Sequence, residues 1–161
     1  MNLTHLVLVS SLTLPLAAMA KEELTLQQIP AKAAAAIQAA AGKETVKIES
    51  EKEDGADAYE AKWSAGGSKH KITVAADGTT IVQEDVIALD TAPAPVQAAI
   101  NALSSSGKLS KVEKENGKKG LQYEAVFETA TGKLEVMFDA SGKELSRETK
   151  SKEKKKEDKK D

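Results

Sequence analysis

At 161 residues, with a net charge of −2 and no cysteine, the chain has room for one domain or for two small ones sharing a surface. The lack of cysteine excludes disulfides, thiolate catalysis, cysteine metal sites and an acylated lipoprotein cysteine. Residues 21–148 carry 16 basic and 21 acidic groups while residues 149–161 carry seven lysines against four acids, so the body is mildly acidic and gives no electrostatic reason to expect nucleic acid.

Residues 1–20, MNLTHLVLVSSLTLPLAAMA, contain no Asp, Glu, Lys or Arg, leaving only the terminal amine and His5 as positive groups, and have an apolar centre from Leu6 to Leu16, a helix-breaking Pro15 and a small-x-small site at Ala18-Met19-Ala20. This pattern predicts a secretory signal peptide cut after Ala20, too short for a membrane span of about 20 apolar residues. The mature chain is expected to be periplasmic or secreted, with no stable membrane insertion once the signal is removed.

After Pro30, Ala33, Ala36, Ile37 and Ala40 recur at helical spacing and Gly42 supplies a stop. Alternating strands follow: the period-2 register pairs Tyr59 with Val74 and Trp63 with His70 around Gly66-Gly67, a dipeptide suited to a tight hairpin. Asp77-Gly78 turns the chain into Ile81-Val82, and the run TTIVQEDVIALDT continues with few breakers. A second helix opens with Pro93 and Pro95 in its first turn, carries Val96, Ala99, Ile100 and Leu103 on one stripe, and is expected to stop at Gly107. The last hairpin pairs 123 with 138, 125 with 136 and 127 with 134, then turns at Ser141-Gly142 into Leu145.

An offset of 63 or 64 residues superimposes the two halves, with Pro30 over Pro93, Ile37 over Ile100, Tyr59 over Tyr123, Trp63 over Phe127 and Gly78 over Gly142. The expected fold is α+β, in two tandem repeats at 21–88 and 89–148, each one helix packed on an antiparallel sheet of three or four strands. A unit of about 60 residues buries too little surface to stand alone, so the repeats are expected to share a continuous sheet or interface and to leave the sheet's other side open. Residues 149–161, with no apolar side chain, are expected to form a disordered, charged, solubilising tail.

Little in the chain suggests turnover. His70 is the one histidine after the predicted signal, and its register places it beside Trp63 as a core-edge ring without a second ligand for a metal set. Glu124, Glu128, Glu135 and Asp139 alternate outward as a solvated strand face, DASGKE and DGADAYE fit hairpin turns better than calcium loops, and Ser104, Ser105 and Ser106 lie at a helix end. No catalytic residue, cofactor site or metal site is assigned. On the open face Val126 and Met137 stand where the first half has Lys62 and Thr73, and this apolar pair is the candidate partner contact.

The stretches IPAKAAAAIQAA and APAPVQAAINAL lead into IESEKEDGADAYEAKW and VEKENGKKGLQYEAVF, and these close with KITVAADGTTI and LEVMFDASGKEL. Together they resemble the PepSY and PepSY-like repeats of exported bacterial proteins, over residues 28–148. That family is similar in architecture to the beta-lactamase inhibitory proteins. The resemblance implies a non-enzymatic role, restraining a peptidase or binding another envelope protein, although this chain lacks the cysteines and the aromatic-rich contact surface of the inhibitory proteins. The expected function is an exported protein-binding module, with an envelope small-ligand or cation-binding protein as the alternative.

Overall fold

The computed structural model describes residues 23–151, so the expected signal at 1–20 and the chain beyond Ser151 lie outside the described residues. The alanine-rich segment Ala31–Ala41 forms helix α1, as its high helix propensity favours. Its end is set by Gly42, whose φ of 65° suits a residue without Cβ and whose N–H donates to the Gln38 carbonyl at 2.8 Å. Ala33, Ile37 and Ala41 are the buried stripe, and Ala40, expected on it, is exposed. Helix α2 spans Ala94–Ala102 with Pro95 in the first turn and Val96 and Ile100 buried. It gives way to a 3-10 turn at Ser104–Ser106, so Gly107 is not the helix stop. Its backbone is extended, and a Cβ there would run into the carbonyl of Glu128.

Nine strands surround the helices in sequence: β1 (Glu23–Leu24), β2 (Lys47–Glu53), β3 (Ala56–Ala65), β4 (Ser68–Ala75), β5 (Thr80–Ile87), β6 (Lys108–Gly117), β7 (Gly120–Glu128), β8 (Gly132–Asp139) and β9 (Glu144–Ser151). The hairpin registers follow the alternation of the sequence. Tyr59 faces Val74, Trp63 faces His70, and the pairs 123/138, 125/136 and 127/134 all form. Gly66 and Gly67, at φ of 58° and 84°, make the left-handed two-residue turn between β3 and β4.

The expected architecture of two repeats, each with its own helix on a three- or four-stranded sheet, is overturned. The strands form one nine-stranded antiparallel sheet whose spatial order is the chain order. The reason lies in β5 and β6, which hydrogen-bond from Val82–Gly117 to Ile87–Val112 across the expected boundary at residues 88 and 89. A strand exposing only one unpaired edge at each end of a long sheet leaves fewer backbone groups unsatisfied than two short sheets would. At the other end β9 runs to Ser151, so residues 149–151 of the expected tail lie in a strand.

Register across the sheet places both helices on the same face. Ile48, Ala61 and Ile72 are Cα partners in succession, as are Ile87, Val112, Ala125 and Val136. Under α1 the core comprises Ile37, Ile48, Trp63, Ile72 and Val74 with smaller neighbours. Beneath α2 it comprises Val96, Ile100, Tyr123, Phe127, Val136 and Phe138 among others. Polar residues separate the clusters: Gln83 and Asp85 on β5 face Asn116 and Lys114 on β6, at positions where the flanking strands carry apolar side chains. Among the described residues no helix covers the opposite face of the sheet.

Candidate functional site

The open face is a charged trough of about 800 Å³. Its walls follow from which residues share a rung of the sheet. One rung runs Lys47, Lys62, Lys71, Glu84, Glu115 from β2 to β6. A parallel one runs Val86, Glu113, Glu124, Met137 from β5 to β8. The sign of charge therefore changes between β4 and β5, where Lys71 and Glu84 form an ion pair. Lys47, Lys62 and Lys71 line the basic half; Glu84, Glu113, Glu124 and Glu135 line the acidic half.

Partial burial strengthens these interactions. Although burial opposes it, Lys71 is held charged above the usual lysine range by Glu84 and Glu60. Burial likewise opposes ionisation of Glu60, yet Lys62, at 2.5 Å, and Lys71 outweigh it and hold that carboxyl below its usual range. In the acidic half the balance reverses. Burial, a side-chain hydrogen bond with Glu113 and the charge of Glu135 push the Glu124 carboxyl up to about 7, with Lys111 opposing. Glu115 is also raised, by burial and by Glu84. Cations meet the flanking carboxylates: Lys111 lies 2.7 Å from Glu113 and Lys150 lies 2.5 Å from Glu135.

Val126 and Met137 are diagonal neighbours on this face, since Val126 faces Glu135 and Met137 faces Glu124. Met137 is half-buried, and Val126 is only 4% exposed, so the longer side chains beside it screen most of its surface. Of the strand carboxylates read as solvated, Glu128 is exposed, while Glu124 and Glu135 are half-buried members of the trough. Asp139 instead caps its turn, accepting hydrogen bonds from the backbone N–H groups of Ser141 at 2.8 Å and Lys143 at 3.1 Å.

His70 sits at the rim of the trough, stacked on Trp63 with ring centroids 5.5 Å apart and planes 17° from parallel. Its Nδ1 lies 2.7 Å from Asp85 Oδ1, and Gln83 donates to the other Asp85 oxygen at 3.3 Å. The Trp63 pairing was legible from register. Asp85 was not singled out, because its partner comes from the β4–β5 register, which shifts between Thr73 and Val74. A third group, Glu49, Glu51 and Glu60, brings carboxylate oxygens within 4.8 Å of one another on β2 and β3. Lys62 already pairs with Glu49 and Glu60 there.

Among the described residues no helix is long and apolar enough to cross a membrane. No family model matches the chain, and no curated protein matches it in sequence. Solved structures do match in fold. A protein from Bacteroides eggerthii DSM 20697, of inferred periplasmic location, is 18% identical with a TM-score of 0.63, covering 75% of this chain and 88% of its own. A DUF2874 family protein from Bacteroides uniformis ATCC 8492 is 18% identical with a TM-score of 0.62, over 74% and 88% of the two chains. A BLIP-like protein from Bacteroides fragilis NCTC 9343 is 16% identical with a TM-score of 0.59, over 79% and 90%. At these identities the likeness is one of fold: this chain has the BLIP-like architecture.

Proposed function

We propose that the chain is an exported, non-enzymatic protein-binding module of the PepSY-like kind, acting in the periplasm or outside the cell on an envelope protein such as a peptidase. The observation that carries this reading is the uncovered face of a nine-stranded sheet whose other face is occupied by both helices, with a charge-polarised trough across it. Complementary charge is the means by which such a surface selects and orients a partner. The fold neighbour with an inferred periplasmic location and the BLIP-like neighbour support the compartment and the class. The non-enzymatic part rests on the resemblance to the PepSY-like repeats.

The test is retention of envelope proteins on the immobilised chain. Lys47→Glu and Glu135→Lys, at opposite ends of the trough, should weaken retention of a specific partner by about tenfold or more, the scale of losing an interfacial charge pair. Gln38→Lys, on the exposed side of α1, should leave it unchanged. Equal retention by all three variants would remove the open face from consideration.

The alternative, a small-ligand or cation-binding protein, draws on Glu49, Glu51 and Glu60. It ranks second because Lys62 already neutralises part of that charge. A selective rise in melting temperature with calcium, abolished by Glu51→Gln, would promote it.

A further inference from the structure

We propose that Asp54 and Lys118 form a clasp that straps the β2–β3 hairpin across the open face to the β6–β7 turn and closes that end of the trough. The two residues stand 64 positions apart, at superimposed places in the two similar halves, and their side chains meet at 2.8 Å. In a flat sheet they would be far from each other. Gly117 is level with Val82, Thr73 and Glu60 on successive strands, while Asp54 lies at the tip of a hairpin that pairs out to Glu53 and Ala56, past the last β3–β4 pair at Ala58 and Ala75. The offsets are four strand spacings, about 19 Å, and about four residues along the strands, about 14 Å, together roughly 24 Å. An aspartate and a lysine cannot bridge that gap, and twist rotates strands without shortening the distance across them. The sheet therefore bends at this end.

Two findings place the bend on the open side. On the helix side the space is taken by the β4–β5 turn, which lies against α1 so closely that a Cβ on Gly78 would stand 2.7 Å from the Lys32 carbonyl. On the open side Ala58 and Thr73 are only 1% and 4% exposed, with no helix above them among the described residues and no place in the core beneath α1 or α2. Of the four nearest neighbours of Ala58 on this face, Ala56 and Ala75 are too short to screen it, and the strap supplies the missing cover. Lys118 holds the Asp54 carboxyl below its usual range and is itself raised, through their hydrogen bond first and their charges second. Both side chains are exposed, so salt screens the pair, and a contact of this class shifts a population by at most about fivefold. The clasp therefore opens and recloses without unfolding the sheet. While it is closed, an extended occupant can cross the strands in the trough but cannot run out along them at this end. That consequence rests on the partner surface proposed above; the clasp itself does not.

The chain has no cysteine, so a thiol placed beneath the strap reports its opening. Ala58→Cys and Thr73→Cys, made separately in residues 21–161, should react slowly with neutral iodoacetamide at low salt. Adding Asp54→Asn, which keeps a residue tolerant of the φ of 50° at this tip, should raise both rates about two- to fivefold, as should about 0.5 M salt without it. Lys118→Glu should raise them at least as much, and Lys118→Arg should leave them near the starting value. Ala61→Cys, buried beneath α1, reports global opening and should not respond. Fast labelling at positions 58 and 73 with the clasp intact, rates indifferent to Asp54→Asn, or an equal rise at position 61 would each overturn the proposal. The measurement needs no external partner, so it stands or fails separately from the function proposed above.

Discussion

Glu124→Gln should stabilise the protein at alkaline pH and leave it unchanged in acid. The Glu124 carboxyl is raised from 4.5 to about 7, first by burial, then by the hydrogen bond with Glu113 and the charge of Glu135. Below the unfolded value both states hold the proton and the residue contributes nothing. Between 4.5 and about 7 the unfolded chain has released it while the folded protein retains it, so this group makes stability fall as pH rises. Above about 7 the folded protein carries the full penalty of a third carboxylate between Glu113 and Glu135. Each tenfold change in ionisation is worth about 1.4 kcal/mol. Solvent screening at a half-covered site reduces the total to about 1–2 kcal/mol. Glutamine keeps the shape and donates an N–H to Glu113, as the protonated acid does, without the charge. Urea unfolding at pH 8 should therefore show a higher midpoint for Glu124→Gln at unchanged m, and coincident curves at about pH 4.5. A gain of the same size at both pH values, or a less stable variant at pH 8, would refute the assignment of the strain to this carboxyl.

Two further perturbations test the scaffold. Gly142, at φ of 82°, turns β8 into β9 where a Cβ would stand 2.5 Å from the Pro95 carbonyl of α2, so Gly142→Ala should cost about 2–4 kcal/mol by thermal melting. Gly55 has the same φ but open space around it, so Gly55→Ala should cost only about 1–2 kcal/mol; equal losses would show that turn strain alone matters. Asp85→Ala strips the part-buried His70 of its carboxylate partner, and should lower stability by about 1 kcal/mol and shift the emission of Trp63, the sole tryptophan. Unchanged emission would mean that Asp85 does not hold the stacked rings.

What was legible in the sequence was local. The helices, the Gly66-Gly67 hairpin and the pairs from Tyr123 to Phe138 are fixed by alternation and turn chemistry within about twenty residues, the range over which pattern and structure are directly linked. The run TTIVQEDVIALDT pointed to a shared sheet or interface, but the strands that make the join were not legible, because α2 intervenes between β5 and β6 and because their helix-side positions are Gln83, Asp85, Lys114 and Asn116, which break the apolar alternation that marks a buried strand. The internal similarity therefore left open whether the repeats met as one sheet or across an interface. The candidate contact suffered from the same limit: the side on which Val126 and Met137 lie follows from parity, but the burial of Val126 depends on side chains from neighbouring strands.

The site's polarity arises from differences between positions that the sequence superimposes. At an offset of 64, Lys62 corresponds to Val126 and Lys71 to Glu135, while Lys47 corresponds to Lys111 and Glu60 to Glu124. Where Glu60 has Lys62 and Lys71 beside it and is held below its usual range, Glu124 has Val126 and Glu135 beside it and is pushed up to about 7. Similar backbone geometry thus presents opposite electrostatics on the two sides of β5. A ligand that bound both sides equally would meet attraction on one and repulsion on the other. An occupant spanning the trough must therefore be oriented, with its basic part over β6 to β8 and its acidic part over β3 and β4, and reversing its charge order should abolish binding even at identical composition.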